Sequence, residues 1–536
     1  MADTKKNAGR QPTRAELLAS LASAPERDLI VIGGGATGLG VALDAAARGL
    51  SVALVEAEDF AKGTSSRATK LVHGGVRYLA QGNVKLVYEA LHERAVLLRI
   101  APHLVRPLEF VLPLYGAKGG WVDRAVYGGG LVLYDLLAGR SGYGRTEFLG
   151  TRKTLERSSG LRAQDLAGAI CYWDAQFDDA RLAVALARTA IAQGAAVLNR
   201  CAAVELLHDG ERIAGVVVED RETGARHWLS SRCVVNATGV WVDSIRRLDR
   251  AVKGDLVAPS QGVHLVVGRE FLPGERAMLV PKTRDGRVLF AVPWLGSTIL
   301  GTTDTPRRDL AREPEPFREE VDFILSEAAR YLARAPGRGD VRSVWVGLRP
   351  LVRPAHEAGE STKTLSREHT VRVEPSGLVT VTGGKWTTYR AMAEDVLACC
   401  ADHGLLPARP AGVTATLPLV GAPREGCRPI SAAPGLHLYG TEAPAVEALP
   451  GARRELAPGL TEAMVRFAAR SEYARTVEDV LARRSRLLFL DARAAGDAAA
   501  GVAAVLAEEL GAGFDAQASA ASLRALAERY RTLPVQ

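Results

Sequence analysis

A chain of 536 residues, 47% hydrophobic and 24% charged, is long enough for two or three domains with substantial cores, and its composition excludes large-scale disorder. Nowhere do eighteen or more uncharged apolar residues run together, so no helix is expected to span a bilayer. A net charge of +7 favours an anionic partner: a phosphorylated substrate, an anionic lipid surface or nucleic acid. The basic residues are scattered rather than clustered, which argues against nucleic acid.

Residues 1–25 are polar and basic, with a Leu17, Leu18, Leu21 stripe but no apolar run long enough for a signal peptide, and read as a cytoplasmic tail with one amphipathic turn. The first strong signal follows. An apolar strand, Leu29-Ile30-Val31-Ile32, enters Gly33-Gly34-Gly35-Ala36-Thr37-Gly38, then an alanine-rich helix from Val41 to Arg48, then a second strand, Ser51 to Val55, ending in Glu56. This is the pattern of a dinucleotide-binding βαβ unit. Gly33 makes the tight turn, Gly35 lets the backbone approach a pyrophosphate at the helix N-terminus, Gly38 lets helix and sheet pack closely, and Glu56 is placed for a ribose hydroxyl. The motif alone does not separate FAD from NAD.

Strand-like and helix-like segments then alternate to about residue 400. Runs at Leu108–Pro113, His264–Val267 and Arg287–Val292 suggest an antiparallel sheet inserted into the dinucleotide fold. Two segments return to the cofactor: Cys233–Trp241, a strand followed by Ala237-Thr238-Gly239, and Leu378–Tyr389, a strand, a Gly383-Gly384 turn and a helix start. A helix beginning there would aim its N–H groups and positive dipole end at a flavin ring. The fold class expected is α/β, an FAD-binding Rossmann-like domain of the glutathione-reductase or D-amino-acid-oxidase type. Its bounds are 26–400, with interleaved substrate-binding segments at about 105–165 and 262–340. A connector at 401–435 precedes an all-helical C-terminal domain at 436–536, with helices at Thr461–Tyr473, Thr476–Leu490, Ala495–Leu510 and Ala516–Tyr530. The six cysteines show neither CxxC nor metal-ligand spacing, so neither disulfide nor metal is expected.

The run Gly63–Leu79 (GTSSRATKLVHGGVRYL), with Gly347-Leu348-Arg349-Pro350-Leu351 and Gly383-Gly384-Lys385-Trp386-Thr387-Thr388-Tyr389, resembles the FAD-dependent glycerol-3-phosphate dehydrogenases. The likeness spans residues 27 to about 400 and continues into Arg470–Ala474 and Asp479–Arg484. Departures are small: Trp386 stands where leucine is common, and the polar tail is longer than in some members. The resemblance implies FAD as cofactor and oxidation of sn-glycerol 3-phosphate to dihydroxyacetone phosphate, with electrons passed to a membrane quinone. It also implies a homodimer and a cytoplasmic location, peripheral on the inner face of the cell membrane.

By the same resemblance, Thr64, Ser65, Ser66, Lys70, Gly74, Gly75, Ala237, Gly239, Gly383, Gly384 and Thr388 join Gly33, Gly35, Gly38 and Glu56 around FAD. Arg349 and His73 are the candidate catalytic residues; Arg77, Tyr78, Arg367, Lys385, Thr387 and His264 are candidates for holding substrate. Forked arginine donors suit a phosphate, and His73, beside the flavin, is the better candidate proton acceptor because an imidazole titrates near neutrality. His264 is the second choice, and Gly301–Thr305 reads as a substrate-side loop. Trp121–Arg140, apolar with aromatic and arginine flanks, could lie in a headgroup layer, although its three consecutive glycines and two aspartates equally suit packing against the substrate sheet. The competing functions are a glycerol-3-phosphate oxidase, a related amine or 2-hydroxyacid oxidoreductase, and a non-catalytic FAD-stabilised scaffold or nucleic-acid-binding protein.

Overall fold

Two sheets with different surroundings organise the chain, and the difference follows from their strand patterns. The computed structural model describes residues 11–23, 26–79, 82–116, 122–249, 254–353 and 368–534. In the first sheet the strands run in the order His369–Val373, Val379–Gly383, Arg226–Asn236, Arg27–Ile32, Val52–Val55, Ala196–Leu198. The four from Val379–Gly383 to Val52–Val55 pair in parallel, as do Val52–Val55 and Ala196–Leu198. Parallel strands of this kind are covered on both faces, which is why Leu29 to Ile32 and Val52 to Val55 are continuous apolar runs, all buried. Helices Ala36–Ala47, Asp179–Ala192 and Tyr389–Asp402 supply the cover.

The second sheet has ten strands among the described residues and is antiparallel except where Ala277–Val280 lies parallel to Val105–Tyr115. Its residues alternate between two cores. Val263, Leu265 and Val267 pack with Val321, Ile324 and Ala328 of helix Arg318–Tyr331, whereas Val266, Trp294 and Trp345 face the C-terminal helices. The expected inserted antiparallel sheet is therefore present, and the fold is the FAD-binding Rossmann-like one, with mixed sheets and a C-terminal helical unit. No helix or strand occurs between His403 and Gly435.

Three expectations need correction. The N-terminal stretch contains a ten-residue helix, Arg14–Ser23, whose Leu17 and Leu21 enter the first core while Arg14 pairs with Asp220 at 2.6 Å, so from residue 14 it is part of the fold rather than a tail. The C-terminal unit is not all helix: Glu455–Ala457 and Leu460–Thr461 form a small hairpin. Thr476–Leu490 is not one helix either. A π-helical turn, Asp479–Arg484, is followed by Arg486 at φ +67° and a short helix, Leu487–Leu490. The break lets three buried arginines reach acids elsewhere: Arg483 and Arg484 both bond Asp59, and Arg486 bonds Asp179 at 3.0 Å.

Helix Val122–Ala138 packs Leu131 and Tyr134 inward and leaves Val132, Leu133 and Leu136 exposed. Among the described residues no helix is long and apolar enough to cross a membrane. No group of His, Cys, Asp or Glu among them could hold a metal ion. The six cysteines are free thiols, with Cys233 and Cys400 side by side at 3.7 Å in the first core.

Candidate active site

The strand ends of the first sheet and the near face of the second enclose one large cavity of about 620 Å³. Its floor is the glycine turn. Gly33 adopts φ +113°, open to glycine, and a Cβ there would stand 2.7 Å from the Ala237 carbonyl oxygen, so the turn can lie against the Ala237-Thr238-Gly239 turn only without a side chain. A Cβ at Gly38 would strike the Gly33 carbonyl, which is the close helix–strand packing expected of it. Gly35 caps helix Ala36–Ala47 without a side-chain hydrogen bond, and the Ser65 hydroxyl accepts from Ala36 N–H at 2.9 Å. Such a helix start, with its positive dipole end at the cavity, suits a pyrophosphate.

Glu56 lines the cavity and accepts N–H bonds from Gly34 (2.7 Å) and Glu58 (2.8 Å); burial raises its pKa against these two bonds. The bonds hold the carboxylate at the strand end, where its remaining lone pairs can receive ribose hydroxyls. Thr64 is tied to the Leu348 carbonyl at 2.6 Å. Trp386, the departure from the usual leucine, donates its indole N–H to the Ser65 carbonyl at 2.9 Å and so joins two cavity-lining segments. The residues present thus fit FAD: a glycine cradle, a helix N-terminus at the cavity, a ribose acceptor and a large cleft.

The cavity is also lined by His73, Tyr78, His264, Arg349, Lys385 and Thr387. The Arg349 guanidinium donates to the carbonyls of Gln261 (3.2 Å) and Thr303 (2.9 Å) and to the Thr302 hydroxyl (3.2 Å), with Asp304 at 3.6 Å. A Cβ on Gly262 would land on that guanidinium, so glycine there is what admits Arg349 to the cavity. The Gly301–Thr305 loop is held in turn by buried Glu320, which accepts from Thr303 (2.8 Å), Thr305 (2.6 Å) and Gln261 (2.5 Å). Lys385 Nζ lies 3.8 Å from the centre of the Tyr78 ring. His73 donates its backbone N–H to Thr387 Oγ1 at 3.3 Å. His264 stacks on Trp345 at 4.1 Å and shares a 3.0 Å hydrogen bond between Nε2 and the Thr69 hydroxyl. Burial, with the charges of Lys70 and Arg349 nearby, holds its imidazole well below the ordinary value, so it is neutral near pH 7.

Other expected site residues stand back from the cavity. Lys70, at φ +64°, turns its side chain away and is fully buried. It donates to the Ser66 carbonyl (2.6 Å) and Asp179 (2.7 Å), sits 4.6 Å from the Trp345 ring, and burial lowers it to about 7. Ser66 is likewise buried, its carbonyl shared by Lys70 and Arg486. Gly74 donates to the Tyr134 hydroxyl at 2.8 Å, and Tyr134 to Asp174. Gly75 backs Tyr78, and Thr388 caps helix Tyr389–Asp402 behind Thr387. Lys70, Ser66, Gly74, Gly75 and Thr388 are thus not among the cavity-lining residues and stand just behind them. The side chain of Arg77 and all of Arg367 lie outside the described residues. Gln261, Arg221 and Arg312 border the site without having been expected there, since their strand interior and loops carry no motif or periodic signal, whereas Thr302 falls in the expected Gly301–Thr305 loop and Trp241 ends the expected Cys233–Trp241 segment.

Comparisons with known proteins agree with this geometry. Residues 28–397 match the FAD dependent oxidoreductase family and residues 412–517 match the C-terminal domain of alpha-glycerophosphate oxidase. The chain is 40% identical to the mitochondrial glycerol-3-phosphate dehydrogenase of Homo sapiens, over 93% of this chain and 72% of that one. To the mitochondrial enzyme of Arabidopsis thaliana it is also 40% identical, over 93% and 85%. A Bacillus halodurans glycerol-3-phosphate dehydrogenase solved in complex with FAD superposes with a TM-score of 0.77 at 30% identity, covering 98% of both chains. An L-alpha-glycerophosphate oxidase from Mycoplasma pneumoniae shares the fold alone, at TM-score 0.56 and 14% identity over 74% of this chain and 99% of that one. By its glycine cradle, its cavity lining and these likenesses, the chain belongs to the FAD-dependent oxidoreductase family and, within it, to the glycerol-3-phosphate dehydrogenases.

Proposed function

We propose that this protein oxidises sn-glycerol 3-phosphate to dihydroxyacetone phosphate in the cavity, where Arg349, Lys385, His73 and His264 converge; that convergence is the observation that carries the reading. The substrate loses a hydride from C2 and a proton from the C2 hydroxyl. FAD, when bound, supplies the acceptor for the hydride. Arg349, anchored on three oxygen atoms of the second sheet, presents its remaining guanidinium edge to the substrate oxygens, and Lys385, seated on Tyr78, adds a second cation for the phosphate. His73 takes the hydroxyl proton, while His264, held neutral, orients the substrate by hydrogen bonding. Arg77 and Arg367 complete the phosphate set in this reading.

The finer assignments extend the same proposal. The electron acceptor is a membrane quinone, reached by peripheral attachment on the inner face of the cell membrane. Exposed Leu136, Leu133, Val132 and Tyr88, on two helices packed against each other, support an apolar contact face. The assembly is a homodimer, which sedimentation velocity would decide. Steady-state assays with ubiquinone analogue or oxygen as sole acceptor test the reading directly. Turnover with quinone and negligible turnover with oxygen supports it, and the reverse establishes the oxidase.

A further inference from the structure

Ten residues between the second sheet and helix Arg318–Tyr331, Arg307 to Pro316, run as a strap beside the cofactor cleft. The strap is pinned at several points. Arg307 donates to the Gln261 side chain at 2.5 Å and to the Glu315 carbonyl at 2.9 Å. The Leu310 carbonyl accepts the Trp241 indole N–H at 3.1 Å. Glu313 accepts from Arg67 at 2.6 Å and from the Tyr530 hydroxyl at 3.1 Å, and its carbonyl accepts from Arg529 at 2.8 Å. Tyr530 and Arg529 belong to the last helix, Ala516–Arg531, so the C-terminal unit reaches across to hold the strap.

The strap carries Arg312 to the cleft. Its guanidinium lies 4.1 Å over the Trp241 ring, and both residues line the cavity. Trp241 follows the Ala237-Thr238-Gly239 turn that touches Gly33, and its ring backs Gly63, so Arg312 is at the segment of the cleft where the glycine turn opens. Arg312 is also near enough to Glu56 for its charge to favour that carboxylate. Of the other lining cations, Lys62 and Arg67 pair with Glu478 and Glu313, Arg349 is held by Gln261, Thr302 and Thr303, and Lys385 lies over Tyr78, while Arg221 lines the cavity as well. Among the described residues no carboxylate oxygen lies within 4 Å of Arg312. FAD carries its negative charge on the pyrophosphate, and an arginine on an aromatic platform is a forked donor made for such an anion.

We propose that Arg312 is a ligand of the FAD pyrophosphate, delivered by the 307–316 strap, and that the last helix acts as a positioning element for it through Tyr530 and Arg529. The C-terminal unit thereby acquires a role in retaining the cofactor. The inference rests on the FAD assignment, and the test separates the two. Apoprotein of the wild type, Arg312→Gln, Arg312→Lys, Tyr530→Phe and the Arg312→Gln/Tyr530→Phe pair is titrated with FAD, following flavin fluorescence, and apoprotein melting is recorded for each. Arg312→Gln should raise the FAD Kd 10- to 100-fold with an unchanged apoprotein melt, and Arg312→Lys, which keeps the charge but loses the fork, should recover part of the loss. Tyr530→Phe should weaken FAD by a smaller factor and add nothing to Arg312→Gln. An Arg312→Gln Kd within twofold of wild type, or a lysine variant as weak as the glutamine one, overturns the ligand role. Losses that multiply in the double variant detach the last helix from it. Wild-type apoprotein that takes up no FAD at all would instead overturn the cofactor assignment.

Discussion

Arg349 reaches the cavity because the position beside it, Gly262, has no side chain, and it stays there because three oxygen atoms hold one side of its guanidinium. An interaction of this kind strengthens as the hydroxyl oxygen becomes a carbonyl under negative charge, so its loss falls on the chemical step. Arg349→Ala should lower kcat/KM by roughly 100-fold or more. FAD content should be unchanged, as read from the ratio of flavin to protein absorbance. A loss confined to KM would place Arg349 in ground-state binding alone. Two buried histidines give a stability signal. His103, lowered to about 3 by burial and Arg181, and His264, lowered by burial and by Lys70 and Arg349, are both neutral in the folded protein near pH 6. The unfolded chain binds the extra protons as pH falls below about 6.5, so stability is whole above that value and declines below it. Each group contributes a slope of up to about 1.4 kcal/mol per pH unit. His103→Gln should flatten the fall in Tm between about pH 6.5 and 5; an unaltered slope would show that His103 is charged in the fold.

At the scale of elements, the turn Asp479–Arg484 joins the C-terminal unit to the nucleotide domain. Asp59, fully buried, receives both Arg483 and Arg484, and Arg483 also bonds Asp479 at 2.7 Å and Glu478 at 2.8 Å. Removing one partner from such a set leaves buried charge without compensation, at a cost of about 3–5 kcal/mol. Asp59→Ala should therefore lower the unfolding free energy by an amount in that range, read as a fall in the urea midpoint at constant m, whereas a change below about 1 kcal/mol would mean that water screens the cluster. The same turn shows where sequence reading stops. The βαβ unit was legible because every residue type in it answers a local demand: apolar strand, glycine turn, terminal acid. The Thr476–Leu490 segment has ordinary helical spacing, and its break is imposed by acids more than 290 residues away, beyond the reach of periodicity. The side-chain direction of Lys70 was illegible for a related reason. It sits inside a cofactor-lining run, but its left-handed backbone turns it to Asp179 and Trp345. Arg312 gave no signal at all, since its loop has neither a motif nor a period.

Over the whole molecule, the two sheets form the two walls of the reaction chamber. The first supplies the glycine cradle and Glu56, the second supplies Arg349 and His264, and helix Val122–Ala138 packs behind the chamber through Tyr134, whose hydroxyl meets Gly74 and Asp174. On its outer side that helix exposes Leu136, 72% accessible, beside Leu133. A shift of these side chains into a headgroup layer is worth about 1.5 kcal/mol or more each. Leu133→Asp with Leu136→Asp should accordingly move the protein from the pellet to the supernatant in co-sedimentation with anionic vesicles, with turnover on a water-soluble acceptor preserved; equal partition of variant and wild type would remove this face from the membrane contact. The central claim concerns the chamber itself. Purified holoprotein, mixed under nitrogen with sn-glycerol 3-phosphate, should lose its oxidised-flavin absorbance, while glycerol and an amino acid leave the spectrum unaltered. A flavin band that persists with the phosphate ester, or that bleaches equally with unphosphorylated glycerol, would contradict the account.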